Sequence, residues 1–201
     1  MNEAQTSSSP LLETLRALSG DVLDSTQLER GDVVVVVKPH NLLKLLSTCK
    51  TSPELAFNLL VDLTAVDWMD LREERFEVVY QLLSISKLHR VTIKVPVSES
   101  APEVPSAVSL WNGANFMERE VWDMFGIRFA GHPDLRRILM YDEFVGHPLR
   151  KDYPLQGKQP RIPLRAPEVE NTARRMQRPD LVSIRVKPRS TESGVSGVAR
   201  Q

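Results

Sequence analysis

Cysteine is almost missing from this chain: Cys49 is the only one among 201 residues. That excludes an intramolecular disulfide. It also excludes a self-contained iron–sulfur site, which usually needs four thiolate or imidazole ligands close together. The four histidines, His40, His89, His132 and His147, fall in no HExxH arrangement, and a bound metal is not expected. No glycine-rich dinucleotide or phosphate loop is present. Long apolar runs are lacking as well. The longest aliphatic stretch, residues 33–37, is far short of the ~20 residues that span a bilayer. Residues 1–10 are polar, without the basic and apolar regions of a signal peptide. The expectation is a cytoplasmic protein that meets a membrane only through partners.

Net charge is lacking too, but the zero total conceals a polarity. Residues 1–127 carry 11 Lys/Arg against 18 Asp/Glu, and residues 128–201 carry 15 against 8. A basic half implies something acidic to meet, whether the chain's own acidic half, a partner protein or nucleic acid. The basic residues alternate with prolines and few aromatics, and no reader motif accompanies them, which argues against nucleic acid.

What is present suits one domain with an appendage. Hydrophobic residues make up 41% of the chain and charged residues 26%, enough for a real core. Ser9-Pro10 followed by Leu11, Leu12, Leu15 and Leu18 predicts a helix with serine at the N-cap, proline at N1 and Gly20 just past the end. Residues 33–38 are too short and too β-branched for a helix and predict a strand closed by Pro39. Asn41 is placed to cap a short helix with Leu42, Leu45 and Leu46 on one face.

From Phe57 the period becomes two. Phe57, Leu59, Val61, Leu63 and Ala65 form one alternating set. Phe76, Val78, Tyr80 and Leu82 form a second, and Val91, Ile93, Val95 and Val97 a third. Short connections make an antiparallel meander the simplest topology. Pro96 puts the third strand at an edge or marks its end. Residues 98–105 read as a polar loop, and residues 114–125 as the best helix in the chain, stopped by Gly126. The expected class is α+β, a mostly antiparallel sheet with flanking helices. Residues 1–10 are expected to be a flexible N-terminus, 11–153 the domain, and 154–201 a basic, proline-rich extended arm that cannot build its own core.

At about 100° per residue, Met117, Val121, Met124 and Phe125 share a core stripe with Ala114, and Glu118 falls inside it. A carboxylate there needs a charged or hydrogen-bonding partner, and Arg136 or Arg137 is the expected one. Arg119 and Asp123, four apart, are placed to pair on the opposite side, and Glu120 faces outward. In Gly131-His132-Pro133-Asp134-Leu135-Arg136-Arg137, Gly and Pro enforce a turn, Asp134 is placed to bond its own backbone, and the two arginines point opposite ways. The cluster reads either as an acid/base or anion site, or as an internal charge network. Without a nucleophile, metal pattern or phosphate loop nearby, the network is favoured.

These residues resemble a known family. Glu118-Arg119-Glu120, then Asp123, two apolar residues, His132 after six more and Arg136 after another three, match the signature of the thirty-kilodalton subunit, or C subunit, of respiratory complex I. Gly146-His147-Pro148-Leu149-Arg150-Lys151-Asp152-Tyr153-Pro154 resembles its closing motif. Asp62-Leu63-Thr64-Ala65-Val66-Asp67 and Phe76-Glu77-Val78-Val79-Tyr80 are similar to further blocks, so the resemblance covers roughly residues 55–155.

It implies a peripheral-arm subunit of a proton-translocating NADH:quinone oxidoreductase, on the cytoplasmic side of the cell membrane. It implies no cofactor on this chain, with NADH, FMN, iron–sulfur clusters and quinone on partner subunits. The implied partners are the quinone-site (D-type) protein and adjacent iron–sulfur subunits. No such protein is fused behind this sequence, so a separate one is expected. The equivalent subunit of a membrane-bound hydrogenase or ferredoxin-fed complex is the alternative. His147, Arg150, Lys151 and Asp152 join the cluster around Glu118 as candidate structural or interface positions.

Overall fold

The alternating segments pair into one five-stranded sheet in a computed structural model of the chain, which describes residues 9–157 and 159–160. Its strands are β1 (Ser25–Glu29), β2 (Asp32–Val36), β3 (Leu59–Asp67), β4 (Phe76–Ser84) and β5 (His89–Val97), in the order β1-β2-β5-β4-β3. The expected meander is there as β3-β4-β5, antiparallel throughout. β1 and β2 form an antiparallel hairpin, whereas β2 joins β5 in parallel. The class is therefore α+β with a mostly antiparallel sheet, as expected.

β5 is an interior strand, not an edge. Pro96 is accommodated because pairing with β2 stops at Lys94, two residues earlier, so no ladder donor is missing on that side. β1, with its largely polar sequence, was not foreseen. Nor were β6 (Glu103–Pro105) and β7 (Arg128–Ala130), a short parallel pair lying partly in the segment read as a loop.

Three helices flank the sheet: α1 (Pro10–Ser19), α2 (Leu42–Thr51) and α3 (Ala114–Phe125). α1 starts behind Ser9 as expected, but Gly20 does not stop it in a left-handed turn; it opens a 3₁₀ turn, Gly20–Val22. A second such turn, Pro39–Asn41, leads into α2, and neither Ser9 nor Asn41 caps through its side chain. Leu42, Leu45 and Leu46 are fully buried beside Phe76, Val78, Tyr80 and Leu82 of β4 and Val91, Ile93, Val95 and Val97 of β5.

Two of the five positions expected to point inward around β3 do not. A bulge between Leu60 and Asp62 shifts the alternation locally, while Phe57, just before the strand, is buried as expected. Leu60 turns in, while Leu59 and Val61 are exposed; Leu63 and Ala65 stay inward.

Candidate functional site

α3 ends where its sequence says it should. Gly126 adopts φ +77°, and its N–H returns to the Trp122 carbonyl. A helix leaves its last four carbonyls without intrahelical donors, and here all four are satisfied. Asp123 O accepts from His147 Nδ1 (2.9 Å), Met124 O from the Leu149 N–H (3.1 Å) and Phe125 O from Arg150 Nε. The second Gly-His-Pro turn thus folds back as a cap and brings the Arg150 cation to the negative end of the helix dipole. Gly126 is needed twice over, because a Cβ there would lie 2.6 Å from both the Arg150 guanidinium and the His147 ring. Burial, helped by the Arg150 and Arg137 charges, holds His147 below its usual range against the pull of its hydrogen bond to Asp123.

Asp123 is the hub of the arrangement, and both expectations for it were wrong. It is fully buried, not on an outer face, and it does not pair with Arg119. Its Oδ1 accepts from Arg137 Nη1 at 2.5 Å. Its Oδ2 accepts the successive N–H groups of Ile138 (3.1 Å), Leu139 (2.9 Å) and Met140 (2.9 Å). Burial pushes this carboxyl up, but the donors from Met140, Arg137, Leu139 and Ile138 outweigh it and hold the group below its ordinary value. Arg137 also donates to the Phe144 and Gly146 carbonyls. Arg119 reaches across to the carbonyls of Arg136 and Arg137. One carboxylate and two guanidiniums therefore organise a segment with no regular secondary structure.

Glu118, also fully buried, has neither arginine as partner. Ser106 Oγ donates to its Oε2 and the Ala107 N–H to its Oε1, each at 2.6 Å. Burial, only partly offset by these two donors, pushes its carboxyl up to about 7. Glu120 is exposed, as expected.

Arg136 and Arg137 do point opposite ways. Arg136 lies outward in an ion pair with Asp134 (2.9 Å), so Asp134 bonds this side chain instead of its own backbone. The Asp134 N–H goes to His132 Nδ1, and His132 Nε2 donates to the Asn115 carbonyl.

The closing motif is tied to the sheet by a second cluster that sequence reasoning missed. Arg75, buried just before β4, bonds both oxygens of Asp67 at 3.0 Å, Glu99 at 2.5 Å and Asp152 at 2.8 Å. The Lys151 N–H adds a bond to Asp67. One signal was available: carrying the inward series Leu63, Ala65 two residues on places Asp67 inside, where it requires a cation. Residues 154–157 and 159–160 then turn back. Gln159 bonds both backbone groups of Val145, and Tyr141 bonds the Pro160 carbonyl. The expected arm beyond 160 and the first eight residues lie outside the described residues.

A family model described as "Respiratory-chain NADH dehydrogenase, 30 Kd subunit" matches residues 35–159. The chain belongs to this family. Relatives in the 30 Kd family include the C subunit of NADH-quinone oxidoreductase from Roseiflexus sp. (strain RS-1), 48% identical over 74% of this chain and 85% of that protein. The C subunit from Citrifermentans bemidjiense is 50% identical over 68% and 82%. Among solved structures, a trypsin-resistant fragment (1-134) of Nqo5 matches with a TM-score of 0.55 and 35% identity, covering 62% of this chain and 96% of the fragment. A chain of the membrane-bound sulfane sulfur reductase, an archaeal respiratory membrane complex, shares the fold (TM-score 0.61, 22% identity, 73% and 85% coverage).

In this 30 Kd family member, Arg119, Asp123, Arg136 and Arg137 of the signature are engaged with backbone or with an opposite charge. Glu118 is held by a hydroxyl and a backbone N–H, and Glu120 is exposed. Among the described residues no three His, Cys, Asp or Glu side chains converge to hold a metal ion, and no helix is long and apolar enough to cross a membrane. Cys49 is buried, with its thiol pushed up to about 12, which removes it from thiolate chemistry near neutral pH. Among the described residues, the bonds to Asp123 order the segment that follows α3.

Proposed function

We propose that this chain is a scaffold subunit of a proton-translocating NADH:quinone oxidoreductase. It carries no cofactor of its own and sits in the peripheral arm on the cytoplasmic side. Its segment 131–160 is the platform on which the quinone-site subunit and an adjacent iron–sulfur subunit rest, and its basic residues beyond 160 wrap those neighbours.

The observation that carries this reading is the construction of 131–160. Irregular segments of this length are usually functional. This one is held by a buried Asp123–Arg137 pair while Leu139, Val145, Leu149 and Leu155 stay exposed. A preorganised apolar surface lowers the cost of association. The trypsin resistance of the Nqo5 fragment and the basic charge of residues 128–201 fit a compact domain followed by a partner-seeking extension.

The test is affinity capture of the tagged full chain from native membranes, with partners identified by mass spectrometry. Recovery of quinone-site and iron–sulfur subunits with NADH-dependent quinone reduction is expected, and deletion of residues 161–201 should abolish capture while leaving a folded domain. Capture of a hydrogenase or ferredoxin-fed assembly instead would establish the second reading. The fold shared with the sulfane sulfur reductase motivates that alternative. Normal assembly of the truncated chain would refute the wrapping role.

A further inference from the structure

Two buried carboxylates sit on α3, and only Asp123 has a cation. Among the described residues no Lys, Arg or His nitrogen lies within ion-pair distance of Glu118, and its contacts are neutral. From the turn after β6 come the Ser106 hydroxyl and the Ala107 N–H. From β4 comes the Tyr80 phenol, wholly buried, without a hydrogen-bond partner and close enough to feel the Glu118 charge. β3, which lies against α3, turns Leu63 and Ala65 inward, and β7 contributes the buried Phe129. On α3 itself, Arg119 is engaged with the backbone of residues 136 and 137, and Asp123 with Arg137. Nothing at this spot balances a negative charge except a proton.

We propose that Glu118 binds and releases a proton within the folded chain, and that the joint between α3 and the 106–113 turn is tight when the carboxyl is neutral and looser when it is ionised. The hydrogen bonds allow both states. The Ala107 N–H serves a carboxyl oxygen in either form. The Ser106 hydroxyl donates to the carboxylate and can rotate to accept from the protonated acid. Ser106 also ties this joint to the β6–β7 pair, since its N–H bonds the Ala130 carbonyl at 2.9 Å. Ala107 O accepts from Leu110 and Trp111 and so shapes the approach to α3. A proton at Glu118 is therefore coupled to the seating of the helix that carries Asp123.

The sign follows from linkage. A carboxyl raised from 4.5 to about 7 in the folded joint stabilises it fully below 4.5, and that contribution is lost as pH rises through 7. The experiment uses the full chain labelled with ¹³C at the glutamate carboxyls, titrated by NMR, with amide hydrogen exchange at Ala107 measured alongside. One glutamate is expected to titrate near 7, and its signal is absent in Glu118→Gln. Protection of the Ala107 amide, corrected for intrinsic exchange, should fall about tenfold per pH unit between 4.5 and about 7. In Glu118→Gln it should be flat. If every glutamate in the wild type titrates below 5, or if Ala107 protection has the same pH dependence in both proteins, the proposal is overturned. The carboxyl titration decides the matter on the wild type alone should the variant fail to fold.

Discussion

The two ends of α3 solve one problem in opposite ways. Glu118, toward the start, and Asp123, near the end, are both fully buried. The Glu118 joint supplies two neutral donors and no cation, and the carboxyl moves up. The Asp123 joint supplies a guanidinium and three consecutive N–H groups, and the carboxyl moves down. Burial alone therefore does not set the behaviour of a core carboxylate; the donors on the facing segment do. The Asp123 contribution to stability is present above its unfolded value and is lost as pH falls through its lowered folded value. The Glu118 contribution runs the other way and is lost as pH rises from 4.5 to about 7. The first joint responds to alkali, the second to acid.

Breaking the second joint should have the largest effect. Asp123→Asn leaves Arg137 buried without its counter-charge and is expected to cost about 3–5 kcal/mol in urea unfolding. It should also open residues 131–160 to trypsin before the rest of the domain; a variant that unfolds like wild type would remove Asp123 as the hub. Gly126→Ala comes next, at about 1–3 kcal/mol. It forces an alanine into φ +77° and a Cβ into the His147–Arg150 cap, and raised exchange of the Leu149 amide would locate the damage there.

Breaking the first joint should be milder and depend on pH. Glu118→Gln keeps a carbonyl to accept one donor and removes the uncompensated charge, so it should be mildly destabilising at pH 5 and neutral or stabilising at pH 8. The smallest effect belongs to Arg136→Ala, which removes an exposed pair with Asp134 and should change stability by less than about 0.5 kcal/mol. A larger loss on association with partners, seen in capture experiments, would assign Arg136 to the interface instead.

This comparison also shows what could be read from the residues alone. The limits of α3 were visible because its apolar period is strong and Gly126 supplies the left-handed stop. The inward faces of β4 and β5 were visible because nothing interrupts their alternation. β3 misled because a bulge is decided by pairing with β4, not by its own sequence. Glu118 was correctly placed in the core, but its donors come from Ser106 and Ala107, which reach it only through the β6–β7 pairing. Asp123 fell on a helix face that looks open to water, and it is buried because an irregular segment folds over it. That segment has no period from which its position could be inferred. His132 and His147 sit in similar turns, yet His147 caps α3 at Asp123 while His132 bonds Asn115 at the other end; their equivalence in sequence concealed the division of labour.

The contrast between the two joints is tested most directly by urea unfolding of the full chain at pH 5 and pH 8, comparing wild type, Asp123→Asn and Glu118→Gln. From pH 5 to pH 8 the wild type should lose about 2.5 kcal/mol more stability than Glu118→Gln, the share of the Glu118 carboxyl. That loss is measured against the opposite, smaller gain from the lowered His147 that both proteins share. Asp123→Asn should keep the Glu118 share while starting from a much lower stability. If Glu118→Gln falls in parallel with the wild type, the uncompensated carboxylate is not at Glu118, and the opposition between the two ends of α3 is contradicted.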